Sequence, residues 1–197
     1  GGKVRPALAI DTLASHAAGL LCLSGCRRGV VARPLLARDE VGARRAAGDL
    51  HDLFGSGSFW IELQRHFLPG DTRLIAGLVA VAGQVGAGVV ATNDVHYAAR
   101  DAQPLHDILT CIRHHTTLPE ALAGGLLHPN SERFLKAPAE MDALFCGLED
   151  LDPVGNSVRL AARCDVSLDL TAQRLPAFPM PAGHTPDTYL RCLCEAR

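Results

Sequence analysis

Val89-Val90-Ala91-Thr92-Asn93-Asp94-Val95-His96-Tyr97 runs an apolar strand straight into an Asp-x-His pair. Side chains two apart on an extended backbone point to one face, so Asp94 and His96 are expected to converge just past the strand's end. A carboxylate with an imidazole suits Zn2+, Mn2+ or Fe better than Ca2+. In parallel α/β folds such groups sit at the carboxyl ends of the strands, where ligands bind.

Reading outward from that strand, residues 72–84 are apolar on a helical period, and Gly86-Ala87-Gly88 forms the turn into the strand. These glycines precede a strand, the wrong order for a phosphate-binding loop that follows one. Residues 59–64 read as a second strand, and residues 40–54 and 30–36 as helices. Residues 20–24 form a short apolar run of strand length that ends in Gly25-Cys26-Arg27-Arg28-Gly29, a glycine-bracketed turn presenting Cys26 at the strand's exit. A helix over 10–19 precedes it. Helix, strand, helix, strand, helix, strand is the order of repeating α/β units around a parallel sheet, and half of an α/β barrel fits it.

Downstream of Tyr97 the texture becomes helical, over 103–112, 137–145 and 154–164, with Pro153 where a first helical turn tolerates it. Pro176, Pro179, Pro181 and Gly183 then make a stiff connector, and Thr185-Pro186-Asp187 caps a last helix over 188–195. A domain boundary is expected there, dividing residues 1–170 from 171–197. The chain opens on Gly1 and stops in Glu195-Ala196-Arg197 inside a helical pattern, which reads as a fragment of something longer.

With 197 residues, 48% of them hydrophobic but only 5% aromatic, the chain can bury a core of Leu, Val and Ala. A formal charge of −2 supplies no global basic field, so nucleic-acid binding cannot be argued from net charge. Seven scattered cysteines are an odd number without the framework of a secreted scaffold, and read as reduced cytosolic thiols serving mostly as core fillers. No run of apolar residues is long enough for a membrane span, so a cytoplasmic protein with no membrane partner is expected.

Six motifs in this order resemble one family: residues 19–29 (Gly-Leu-Leu-Cys-Leu-Ser-Gly-Cys-Arg-Arg-Gly), Ile61-Glu62-Leu63-Gln64-Arg65-His66, Ala91-Thr92-Asn93-Asp94-Val95-His96-Tyr97, residues 105–113 (Leu-His-Asp-Ile-Leu-Thr-Cys-Ile-Arg), Phe134-Leu135-Lys136-Ala137-Pro138-Ala139-Glu140-Met141 and Leu175-Pro176-Ala177-Phe178-Pro179. Together they resemble the C-terminal part of the PHP (polymerase and histidinol phosphatase) domain of bacterial DNA polymerase III α subunits, family C, along nearly the whole chain. Arg113-His114-His115-Thr116-Thr117-Leu118 looks more like the error-prone, translesion branch.

The resemblance implies a partial PHP-type distorted α/β barrel followed by helices and the start of a polymerase palm. It implies DNA-directed DNA synthesis by the parent from DNA and dNTPs with Mg2+, other replication or translesion proteins as partners, and Zn2+ or Mn2+ at the PHP site. The family's metal positions present here are Cys26, Asp94 and His96. Its His-x-His motif would lie upstream of Gly1, and the palm carboxylates downstream of the chain. Thiolate, imidazole and carboxylate all bind Zn2+ at about 2.0 to 2.3 Å, and a cluster of such metals could hydrolyse a mispaired 3′ end as a 3′–5′ exonuclease.

Blander readings stand beside these. Without the resemblance, Cys26 reads as a small inert hydrophobe, and Asp94 as a helix cap with His96 packed beside it. Glu62 and His66 could face the same mouth, but read more simply as a surface pair or as hydrogen-bond support for ligands. His106 reads as a satisfied structural histidine, Asp107 as a solvated helix residue, and Arg113-His114-His115 as an exposed polar loop. A free-standing PHP phosphoesterase and a non-catalytic PHP scaffold remain the alternatives; the segment from Leu175 onward argues against the first.

Overall fold

The computed structural model describes residues 9–167 and 179–196. In chain order the elements are α1 Ile10–Ala14, β1 Cys22–Leu23, α2 Ala32–Leu36, α3 Glu40–Phe54, β2 Phe59–Leu63, α4 Asp71–Val85, β3 Gly88–Ala91, α5 Gln103–His114, α6 Leu118–Ala123, α7 Pro138–Leu144, α8 Pro153–Ala161 and α9 Pro186–Glu195. Short 3-10 turns at Arg100–Ala102 and Glu149–Leu151 precede α5 and α8. The chain is mixed α/β, as expected. It divides into two compact units, one ending at Arg163 and the other beginning at Cys164.

In the first unit three strands form one parallel sheet in the order β1-β2-β3. Phe59, Ile61 and Leu63 alternate with half-buried Trp60 and Glu62, so β2 gives one whole face to the core. Ile61 and Leu63 register with Val89 and Ala91 of β3, which extends that face. Helices α3 and α4 pack on it, through Ala43 and Ala47 of the first and Leu74, Ile75, Leu78, Val81 and Ala82 of the second. Alanines four apart let α3 approach closely. The β3 residues Val89, Val90 and Ala91 are all buried, as in a parallel strand covered on both faces. Helix α8 lies against β3 and sends the buried Asn156 amide to the Val89 carbonyl (2.9 Å) and back to Leu151 (3.0 Å).

Local signals set the boundaries. Asp39 caps α3 by accepting from Gly42 N, Gly70 and Gly86 bracket α4 in left-handed conformations, and Pro153 stands in the first turn of α8. The expected strand over 20–24 shrinks to two residues, because Ser24 turns its hydroxyl onto Glu62 N (2.9 Å) and takes over a ladder bond as the chain peels away. Helix 10–19 is cut to five residues, while the helix expected over 103–112 runs on to His114, with left-handed His115 as its C-cap. Helix α6 lies where no helix was expected. Thr117-x-x-Glu120 is a capping box, with the Glu120 carboxylate accepting from Thr117 N at 2.9 Å.

The cysteines depart from the core-filler expectation. None of the seven is in a disulfide, only Cys111 is buried, and Cys146, Cys164, Cys192 and Cys194 are exposed. In the second unit, Thr185 accepts from Thr188 N and caps α9. Residues 168–178, which carry the expected boundary at 170/171 and the start of the proline connector from Leu175 to Phe178, lie outside the described residues.

Ile61 is fully buried at the centre of the sheet. Ile61→Ala is expected to lower unfolding free energy by about 2–5 kcal/mol, read from chemical denaturation; a loss below about 1 kcal/mol would place this residue outside the core.

Candidate metal centre

Because the strands are parallel, their carboxyl ends leave from one edge, and the three exits carry Cys26, His66 and Asp94. At the first exit Gly25 has φ +85°, a conformation glycine adopts freely. Half-buried Cys26 lines a pocket with Arg27, Glu62, Gln64, His66 and Asp71. The Asp71 carboxylate accepts from His66 N (2.9 Å), Leu68 N (3.0 Å) and the Arg27 guanidinium, tying the first exit to the second. Arg27 also donates to the Pro69 carbonyl at 2.7 Å.

His66 is buried, not part of a surface pair. Its Nε2–H donates to the Asn93 carbonyl (3.0 Å), linking the second exit to the third. Burial lowers the His66 pKa, and nearby Arg133 adds to this against the opposing Asn93 bond and the Asp94 and Asp71 charges. The His66 imidazole is therefore held towards its neutral form. Glu62 faces the strand-end rim, lining the Cys26 pocket and accepting from Gln64 Nε2 (2.8 Å) and from the Thr92 hydroxyl.

Asp94 and His96 do come together, with Oδ1 3.4 Å from Nε2. The route differs from the one expected. Strand β3 ends at Ala91, and Asp94 takes a left-handed φ of +44°, so no extended alternation reaches His96. A turn, held by His96 N donating to the Arg133 carbonyl (2.9 Å), produces the convergence. Arg133 also donates from Nε to Asp94 Oδ2 at 3.2 Å. Burial pushes the Asp94 pKa up, but the Arg133 hydrogen bond and the surrounding positive charge outweigh it and hold the carboxyl below its usual range.

His96 also meets two further imidazoles. Its ring centroid lies 5.1 Å from His106 on the first turn of α5 and 4.7 Å from His128, while His106 and His128 stack 5.3 Å apart. One nitrogen from each ring falls within 4.8 Å of the others, and among the described residues this is the one such group of three potential metal ligands. Cys26 is outside it, in the neighbouring pocket. His106 is thus not a satisfied structural histidine: its Nδ1 is buried without a hydrogen-bond partner, as is Asp107 Oδ1 at 3.9 Å. Asp107, in turn, is largely shielded from solvent. Burial first, then the charges of Arg133 and the two neighbouring histidines, drive the His128 pKa down to about 4, so the ring is neutral at pH 7. His128 was not legible in the sequence, since His128-Pro129-Asn130 carries no ligand spacing of its own.

Parallel strands, helices over them and ligand-type side chains at one sheet edge make an α/β segment, and the PHP domain family model matches its residues 2–66. The chain is a relative of the bacterial DNA polymerase III α subunits and error-prone DNA polymerases. It is 36% identical over 192 residues to the DNA polymerase III subunit alpha of Thermus aquaticus, covering 95% of this chain and 15% of that protein. It is 38% identical over 194 residues to the error-prone DNA polymerase of Mycolicibacterium paratuberculosis, covering 98% and 17% respectively. With the error-prone DNA polymerase of Mycobacterium tuberculosis it shares 36% over 197 residues, 100% of this chain and 18% of that protein. The chain therefore spans less than a fifth of the length of these relatives. Asp94 and His96 lie beyond the residues matched by the PHP model but within the stretch shared with the polymerases.

Arg133 is the main favourable partner of the Asp94 carboxylate, so Arg133→Met is expected to move the Asp94 titration to higher pH, followed by carboxyl 13C shifts. An unmoved titration would mean that other groups hold that charge.

Proposed function

We propose that this chain is a segment of a bacterial DNA-directed DNA polymerase of the error-prone kind, which acts in the cytoplasm on DNA and dNTPs with replication or translesion proteins as partners. One observation carries this reading: similarity to polymerases extends over 95–100% of the chain, through the second unit as well as the first. A free-standing phosphoesterase would not be expected to share that second stretch. The error-prone choice rests on residues 113–118 and on relatives of that name.

The surface supports a place within a larger body. Leu105, Ile108, Leu109 and Ile112 repeat at helical spacing along α5, and all four are exposed. Such a continuous apolar stripe normally marks a covered interface. Among the described residues no helix is long and apolar enough to cross a membrane.

In this reading the Mg2+ ions of polymerisation are held by carboxylates elsewhere in the parent protein. At the strand-end rim, Cys26, Asp94 and His96 are the proposed ligands of Zn2+ or Mn2+. Their donor chemistry fits such an ion, and the approach of Asp94 to His96 supports it. A metal there would lower the pKa of a bound water and offset charge on a phosphodiester, the chemistry of a 3′–5′ exonuclease. Arg133 stands against Asp94, where it would position that carboxylate and offer a guanidinium to a phosphate oxygen.

The full-length protein containing this chain is expected to extend a primed template with Mg2+ and dNTPs; failure to extend any primer overturns the polymerase assignment. Asp94→Asn and His96→Ala in the same protein are each expected to weaken Zn2+ binding by about tenfold or more, read by elemental analysis after dialysis against graded metal. Unchanged metal content removes both residues from the ligand set.

A further inference from the structure

We propose that the transition metal at the β3 exit is held by three imidazoles of this chain, those of His96, His106 and His128. This deepens the metal reading given above, on which it rests, by naming two ligands from outside the Asp-x-His pair. The three residues come from separate parts of the chain: the turn after β3, the first turn of α5 and the segment after α6. Their nitrogens already lie within 4.8 Å of one another. Tetrahedral Zn2+ with Zn–N bonds of about 2.0 to 2.1 Å places ligand nitrogens roughly 3.4 Å apart, so rotation of the rings closes the difference.

The surroundings favour a cation over a merely packed cluster. Each imidazole meets the other two, yet no proton-sharing hydrogen bond joins any pair of them among the described residues. The His106 Nδ1 and Asp107 Oδ1 atoms are buried without hydrogen-bond partners, an arrangement that ordinarily calls for an explanation. A metal supplies one: a ligating histidine characteristically sets its other nitrogen beside a carboxylate. His106 has such a carboxylate, Asp107 at 3.9 Å from its Nδ1, while Asp94, 3.4 Å from His96 Nε2, is close enough to join the ligands themselves. Arg133 is the charge that opposes a cation here, and its bond to Asp94 Oδ2 partly neutralises it.

Three imidazole nitrogens, with a fourth position open on the exposed side of His96, suit Zn2+ in preference to Mg2+ or Ca2+. The fourth ligand is then Asp94 or water.

The test is Zn2+ titration of the full-length protein and of its His106→Ala, His128→Gln, Asp94→Asn and Cys26→Ser variants, with X-ray absorption of the zinc-loaded parent. Expected are three imidazole ligands in the absorption spectrum and a Kd raised about tenfold or more by His106→Ala and by His128→Gln. Fewer than three imidazoles overturns the proposal, and this arm needs no variant to fold. Zinc held as tightly by both folded histidine variants, but lost in Cys26→Ser and Asp94→Asn, also overturns it while leaving the rim site intact. No zinc binding by the parent protein overturns both.

Discussion

The side chain of Asn93 is the constraint on which the site's geometry depends. It is buried, and its amide donates to the Glu132 carbonyl (3.0 Å) and the Phe134 carbonyl (2.7 Å), while its own backbone carbonyl accepts from His66. A buried amide left without partners costs about 1–3 kcal/mol per group, so the segment around 132–134 has to stay against the β3 exit. Asn130 adds a second tie, donating to the His66 carbonyl at 2.6 Å. Through these bonds, residues distant in sequence become walls of the same site: Arg133 reaches Asp94, and His128 reaches His96.

Two electrostatic networks then sit side by side with different characters. In one, Glu132 accepts from Arg100 and stands 3.3 Å from Lys136, and both cations lie over the Phe134 ring, at 4.6 and 4.1 Å from its centre. Two cations share one carboxylate and one aromatic face there, and the network anchors the backbone. In the other, one carboxylate held anionic by Arg133 stands beside imidazoles, one of them kept neutral by burial. Anionic oxygen next to neutral nitrogen is the state in which both ligate a metal without first losing a proton. The first network holds the loop in place, and the second is available for chemistry.

How far each feature could be read in advance followed the range of the interaction behind it. Helices α3 and α4 ended within a residue or so of expectation, because Asp39, Gly70 and Gly86 carry their boundaries locally. The Thr117-x-x-Glu120 box is just as local, but it sits at the end of a polar stretch that reads as loop. Asp94 and His96 were singled out correctly as neighbours, but for the wrong backbone: a left-handed Asp94 makes the turn, and only the bond from His96 to the Arg133 carbonyl holds it. His128 carries no sequence signal, and the sequence around His106 marks only a position on a helix.

By itself the sequence determined the α/β class, the parallel order of strands and the residues offered at their carboxyl ends, since period, capping and turn chemistry act over a few neighbours. It also carried the kinship with polymerases. Tertiary structure alone decided which of those residues meet. Cys26 went to a pocket with His66 and Asp71, and His96 to a cluster with His106 and His128. The reason is physical: these placements depend on buried hydrogen bonds between segments about 40 residues apart, such as Asn93 to Phe134, whose partners leave no periodic trace along the chain.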